Sequence, residues 1–85
     1  MEKLDELLQD GRFAEAEELL LKLDQADDSV LYSWGRLYSR KGEEAKAISY
    51  YVKALEINPN NENAKVRLEI AREIFSFRDP NLYNH

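Results

Sequence analysis

The chain contains a partial copy of itself. The stretch GRFAEAEELLLKL superimposes on KGEEAKAISYYVKAL with an offset of 31 residues, which carries Gly11 onto Gly42. The same shift matches Ala14 with Ala45, Ala16 with Ala47, Leu20 with Tyr51 and Leu23 with Ala54. A repeat of about twenty to fifty residues marks a stacked architecture, because one unit cannot bury its apolar face alone. That constraint comes before any other, since it asks for units that cover one another rather than for a closed core.

Glycine and proline divide the chain further. Gly11 and Gly42 each stand just before a fresh amphipathic run, where a helix has to end and the chain has to reverse. Pro59 follows the run ending at Ile57 and Pro80 lies near the end; each turns its preceding residue away from helical geometry. Between these breaks the apolar residues recur at helical spacing. Leu4, Leu7 and Leu8 predict a first helix, and Phe13, Ala16, Leu19, Leu20 and Leu23 a second. Leu31, Trp34, Leu37 and Tyr38 predict a third, with Asp28 and Ser29 before it. Ala47, Ile48, Tyr51, Ala54 and Leu55 predict a fourth. Ala64, Leu68, Ala71, Ile74 and Phe75 predict a fifth, preceded by Asn60 and Asn61 as cap candidates. No sustained period-two pattern occurs, so the expected class is all-α with about five helices.

The second copy carries the fuller pattern. It reads Leu31-x2-Trp34-Gly35-x2-Tyr38, then Ala47-x3-Tyr51-x2-Ala54, then Pro59. These spacings resemble the tetratricopeptide repeat, whose small, large and turn positions are all filled between Asp28 and Asn61. Trp34 stands where that family more often has leucine. Gly35 lies inside a helical pattern, where it costs about 1 kcal/mol relative to alanine and needs a packing reason. Gly35 and Ala47 leave room for two helices to approach closely. Trp34, Tyr38 and Tyr51 fill the space towards neighbouring hairpins, Ala54 admits the next helix, and Pro59 ends the second helix.

The resemblance implies a right-handed α-solenoid of antiparallel helix hairpins in one domain, residues 1–85. Within it, residues 1–27 are a shortened first repeat that lacks the terminating proline. Residues 28–61 are a complete repeat, 62–77 a capping helix with Glu69 where a small residue belongs, and 78–85 a tail.

Composition narrows the functional class. Seventeen acidic and twelve basic residues give a net charge of −5, which disfavours phosphate backbones, so no nucleic-acid partner is expected. Without cysteine there is no disulfide, thiolate nucleophile or zinc–thiolate site, and helix packing has to supply the stability. The opening MEKLDELLQDGRF has no signal-like apolar run, and apolar runs such as Leu19 to Leu21 are far too short to span a bilayer. A cytoplasmic protein without a membrane segment is the expectation. His85 is the only histidine and has no partner group in a catalytic pattern, and the run NPNNEN lacks the carboxylates of a cation loop. No enzyme, metal or cofactor is expected, and the asparagines suit turn and cap service.

In proteins of the resembled family, the first helix of each pair lines a concave groove that takes a peptide or a partner's helix. Carried over, this puts Ser29, Tyr32, Ser33, Arg36 and Arg40 on the groove, with Asn63, Val66, Arg67 and Ile70 as the matching face of the fifth helix. Core packing is the expected use of Trp34, Tyr38 and Tyr51, whereas Tyr32 and Tyr50 are off those positions and freer. Arg36, Arg40 and Arg67 form a basic surface on an acidic protein. Arginine forks bind carboxylates, so an acidic peptide or a C-terminal carboxylate is one reading and solvated helix charge paired with glutamates is the other. Some family members hold chaperone tails through lysines and asparagines, but here those places hold Asp5, Ser29, Ser33, Asn63 and Arg67. Only Arg67 fits well, so that activity is not expected. The expected function is binding of another protein or peptide in the groove, centred on Tyr32, Ser33, Arg36, Arg40, Arg67 and Ile70. The alternative is self-association that completes the helix stack, since about three repeats usually make a stable solenoid. The stretch from Phe75 to His85 either packs back or docks on a second molecule.

Overall fold

The computed structural model describes residues 2–78, with side chains through Glu73. Five α-helices follow one another: α1 (Glu2–Gln9), α2 (Phe13–Leu21), α3 (Asp28–Arg40), α4 (Glu44–Ile57) and α5 (Glu62–Arg78). Among the described residues there is no strand, and the fold is an all-α helical repeat stack. Short connections force neighbouring helices antiparallel. The stretch 79–85, including Leu82 and Tyr83, lies outside the described residues, as do the side chains of Ile74 and Phe75.

Two helix ends show the repeat at atomic scale. After α1, the Arg12 amide donates to the Leu7 carbonyl and the Gly11 amide to Leu8. After α3, the Glu43 amide donates to Tyr38 and the Gly42 amide to Ser39. These are the paired bonds of a Schellman motif, in which the reversing residue takes a positive φ. Gly11 (φ 74°) and Gly42 (φ 84°) supply it, 31 positions apart. A side chain in that region costs about 1–2 kcal/mol.

Helix starts depart slightly from expectation. The cap of α3 is Asp27, not Asp28 or Ser29: its carboxylate accepts from the Ser29 amide at 2.8 Å and the Ser29 hydroxyl at 2.7 Å. The Ser29 hydroxyl bond, then its amide bond, hold the Asp27 carboxyl below the usual carboxylate range. Asp28 is thereby freed for another task, and it accepts from the amides of Asn58 (3.1 Å) and Asn61 (2.8 Å). This ties the start of α3 to the α4–α5 turn. Asn61 also caps α5, accepting from the Ala64 amide at 3.0 Å. Asn58 is extended (ψ 95°), as the residue before Pro59 has to be.

The second helix ends before Leu23, which packs on the core from the following loop. Gln25 accounts for the early stop. Its side-chain amide donates to the carbonyls of Leu20 (2.8 Å) and Leu23 (2.7 Å), while its oxygen accepts from the Trp34 indole at 2.8 Å. One glutamine thus covers a helix end and satisfies a half-buried ring nitrogen, a task that needs no proline.

The core consists of three clusters of buried residues, bridged by the half-buried Tyr32, Tyr38, Tyr50 and Leu55. Leu4, Leu7 and Leu8 of α1 meet Ala16 and Leu20 of α2 and Val30, Trp34 and Leu37 of α3. Full burial of each leucine contributes roughly 1.5–3 kcal/mol. Ala54 meets Ala64 and Leu31 where α3, α4 and α5 converge, so the small residue admits α5 as anticipated. Ala47 and Tyr51 pack with Leu68 and Ala71. The reason for Gly35 is the ring of Tyr51: a Cβ built on Gly35 would lie 2.6 Å from Tyr51 Cδ1 and closer still to Cε1.

Tyr50 is not the free aromatic that its position suggested. Its ring stacks on Tyr38 at 5.5 Å and on Trp34 at 6.0 Å between centroids. Lys53 lies over its ring at 4.9 Å, and Lys41 and Lys46 lie over Tyr38 at 5.4 and 5.2 Å. Flat rings on successive hairpin helices fill the same gap, which spacing within one helix does not reveal.

Candidate functional site: a divided groove lined by arginines

The first helix of each unit, α1, α3 and α5, contributes to one concave surface. Two depressions lie along it. One, of about 310 Å³, is lined by Asp5, Leu8 and Gln9 of α1, Arg36, Ser39 and Arg40 of α3, and Arg67 of α5. The other, of about 360 Å³, is lined by Leu4, Asp5, Ser29, Tyr32, Ser33, Arg36 and Asn63. Asp5 and Arg36 belong to both. The sequence-derived residues therefore divide: Arg36, Arg40 and Arg67 meet at the first depression, and Tyr32, Ser33 and Arg36 at the second. Ile70 lines neither; it sits 46 % exposed on α5, near Val66 at 53 %.

Each side chain has a defined setting. The Arg36 guanidinium bonds Asp5 Oδ1 at 2.7 Å and lies 6.0 Å from the Tyr32 ring centroid. Its partner is thus an aspartate of α1 and not a neighbouring glutamate. Hydrogen bonding from that guanidinium holds the Asp5 carboxyl below the usual carboxylate range. Arg40 donates to the Leu8 carbonyl at 3.2 Å and has no ion-pair partner among the described residues. Arg67 is exposed and has no ion-pair partner among the described residues. The remaining ion pairs are exposed and local, such as Arg12–Glu15 and Lys46–Glu43, and each contributes about 0–1 kcal/mol.

Ser33 is 4 % exposed and its hydroxyl is committed to the Ser29 carbonyl at 2.9 Å. Tyr32 is half-buried and leans on Tyr51, with 6.0 Å between ring centroids. Tyr51 lies behind the groove wall, 1 % exposed, and its hydroxyl has no hydrogen-bond partner of good geometry among the described residues. Burial pushes its pKa up, while the charge of Arg67 and the nearby Ser39 hydroxyl pull it partly back.

Sequence reasoning undervalued α1. Asp5, Leu8 and Gln9 all face the first depression. The signal was present, because Asp5 stands 31 positions before Arg36, the same offset that relates Gly11 to Gly42. Equivalent positions of successive units lie side by side in a stacked repeat.

Among the described residues no group of three metal-ligating side chains gathers, and no helix is long and apolar enough to cross a membrane. The tetratricopeptide repeat family matches residues 29–61. The photosystem I assembly protein Ycf3 of Acaryochloris marina (strain MBIC 11017) is 40 % identical over 57 residues, covering 60 % of this chain and 34 % of that protein. The photosystem I assembly protein Ycf3 of Sorghum bicolor is 41 % identical over 56 residues, covering 59 % and 33 %. The chain thus spans about a third of the length of these curated relatives. No solved structure gives a significant match. Tetratricopeptide repeats serve generally in protein–protein interaction, and residues 29–61 of this chain are a tetratricopeptide repeat.

Proposed function

We propose that the chain is a non-catalytic protein-interaction module that takes an extended, acidic segment of another protein along the α1/α3/α5 groove. The observation that carries this is the gathering of Arg36, Arg40 and Arg67 around one depression on a chain of net charge −5. Clustering three guanidinium groups is electrostatically unfavourable unless an anion offsets it, and their forks match carboxylates. Tyr32 offers an aromatic edge, Ser33 lines the floor, and Ile70 extends the surface along α5. The curated relatives are assembly proteins by name; a segment-holding role of that kind suits this groove, whatever the target. The lack of cysteine suits a cytoplasmic setting.

The test is titration of a panel of fluorescent acidic, neutral and basic peptides. Binding confined to the acidic members, and at least tenfold weaker after Arg36→Glu with Arg67→Glu, is the expected result. Unchanged affinity in that double variant refutes the groove assignment.

A second reading, self-association through α5 acting as an incomplete cap, draws on the exposed pair Val66 and Ile70, one turn apart on one face. Sedimentation across a concentration range decides it. A mass that stays at 10.0 kDa eliminates this reading.

A further inference from the structure

The Asp5–Arg36 pair stands between the two depressions, since both residues line each of them. A segment running the length of the groove has to cross that bar. Resting on the groove reading above, we infer that Asp5 is a built-in competitor: its carboxylate occupies Arg36 in the free protein, and an acidic residue of the bound segment displaces it and joins the two depressions.

Three observations support the exchange. First, the bar is held by little. Asp5 is 55 % and Arg36 26 % exposed, and an ion pair so open to water contributes only weakly. Arg36 is the only side-chain partner of Asp5 among the described residues. Second, the surroundings favour an incoming carboxylate. Arg40 bonds only a neutral carbonyl and Arg67 has no ion pair among the described residues, so both keep attracting an anion. Third, the exchange is selective. An acidic side chain replaces one carboxylate by another on Arg36, whereas a neutral segment would leave Arg36 and Asp5 both unpaired. A basic segment meets three arginines. Asp5 therefore sets a charge threshold for entry.

The experiment uses the full chain and carboxyfluorescein-labelled hexaglutamate, read by anisotropy at low ionic strength. Asp5→Asn is expected to bind about two- to fivefold more tightly, the range set by the worth of an exposed ion pair. Adding Arg36→Gln should erase that gain, and about 0.5 M salt should shrink it. Equal or weaker binding by a folded Asp5→Asn chain, with hexaglutamate still bound by the unmodified protein, overturns the competitor role and leaves the groove reading standing. Failure of hexaglutamate to bind any form overturns both.

The unmodified chain offers an independent measurement, free of any folding defect in the variant. The Asp5 carboxyl-carbon signal is followed by NMR at a constant pH of about 7, where the glutamates of the probe stay ionised. Saturating hexaglutamate should shift that signal, because the Arg36 hydrogen bond is gone. An Asp5 carboxyl signal unmoved by bound peptide overturns the displacement.

Discussion

Replacing Gly35 by alanine tests whether the α3–α4 hairpin depends on close approach. Two effects oppose each other. Alanine in place of an interior helical glycine stabilises by about 1 kcal/mol through the backbone, and burying the added methyl contributes about 0.8 kcal/mol more. Against this, the new Cβ lies 2.6 Å from Tyr51 Cδ1, where unstrained carbons sit about 3.5–4.0 Å apart. Roughly 1 Å has to open, the difference between that contact and an unstrained one. The Tyr51 ring has nowhere to go, being 1 % exposed and held by Tyr32, Leu68 and Ala71. Overpacking of this kind costs about 1–3 kcal/mol or more after relaxation. A contact this short puts the clash at the top of that range, about 3 kcal/mol, so against gains of about 1.8 kcal/mol we expect a net loss of about 1 kcal/mol, which for a domain of this size lowers Tm by roughly 4–8 °C. Urea denaturation followed by Trp34 fluorescence gives the value directly. A double-mutant cycle with Tyr51→Leu sharpens it, because a smaller side chain opposite the new methyl should recover at least about 1 kcal/mol of the summed losses. Neutral or increased stability in Gly35→Ala, or strict additivity in the cycle, would refute the account of Gly35.

Gln25→Ala should cost about 1 kcal/mol, because it removes the acceptor of the half-buried Trp34 indole N–H and the donors at the end of α2, where water replaces them in part. Gln25→Glu, which keeps the acceptor for Trp34 but loses the donors to Leu20 and Leu23, should fall between; the check is denaturation of all three proteins. Tyr51→Phe should stabilise by about 1 kcal/mol, since it removes a buried hydroxyl that has no well-formed hydrogen bond among the described residues. Its pH dependence has a definite sign. The folded-state pKa of Tyr51 is raised, so the stability linked to its neutral form is complete below about pH 10 and is lost as pH rises above it. The stability gap between Tyr51→Phe and the parent should therefore widen above about pH 10; a constant gap in pH-stepped urea melts contradicts this.

The parts of the fold written as local chemistry were legible. Gly11 and Gly42 announce helix reversals because almost no other residue accepts their φ, and the apolar spacing of Leu4, Leu7 and Leu8 needs no tertiary context. Gly35 could be read as a packing position, though not as the seat of one particular ring. What stayed hidden depends on distant pairings. Tyr50 looked free because its partners Trp34 and Tyr38 are on the other helix of the hairpin. Gln25 carries no signal in the sequence because its bonds to Leu20 and Trp34 become meaningful only once α2 has ended and Trp34 is buried. Asp27 and Asp28 could not be ranked as caps from sequence, since the choice turns on Asn58 and Asn61, 30 and 33 positions beyond Asp28.

The groove was legible in a different way. Signature positions of the repeat, such as Trp34, Gly35, Tyr51 and Ala54, are consumed by packing, so they specify the stack and say nothing of a ligand. Recognition has to reside in the positions between them, and there the repeat imposes its own rule. Equivalent positions of successive units become neighbours across the groove, as Asp5 and Arg36 show at 2.7 Å. Each unit therefore contributes one choice to every rung, and the pair of choices decides whether that rung is closed or open. Opposite charges close it from within, as between α1 and α3. Arginines without an ion-pair partner among the described residues, as at Arg40 and Arg67, leave the next stretch positively charged. A chain with a net charge of −5 can in this way gather arginines on one surface, and the competitor role proposed for Asp5 follows from the single rung that its own carboxylate closes.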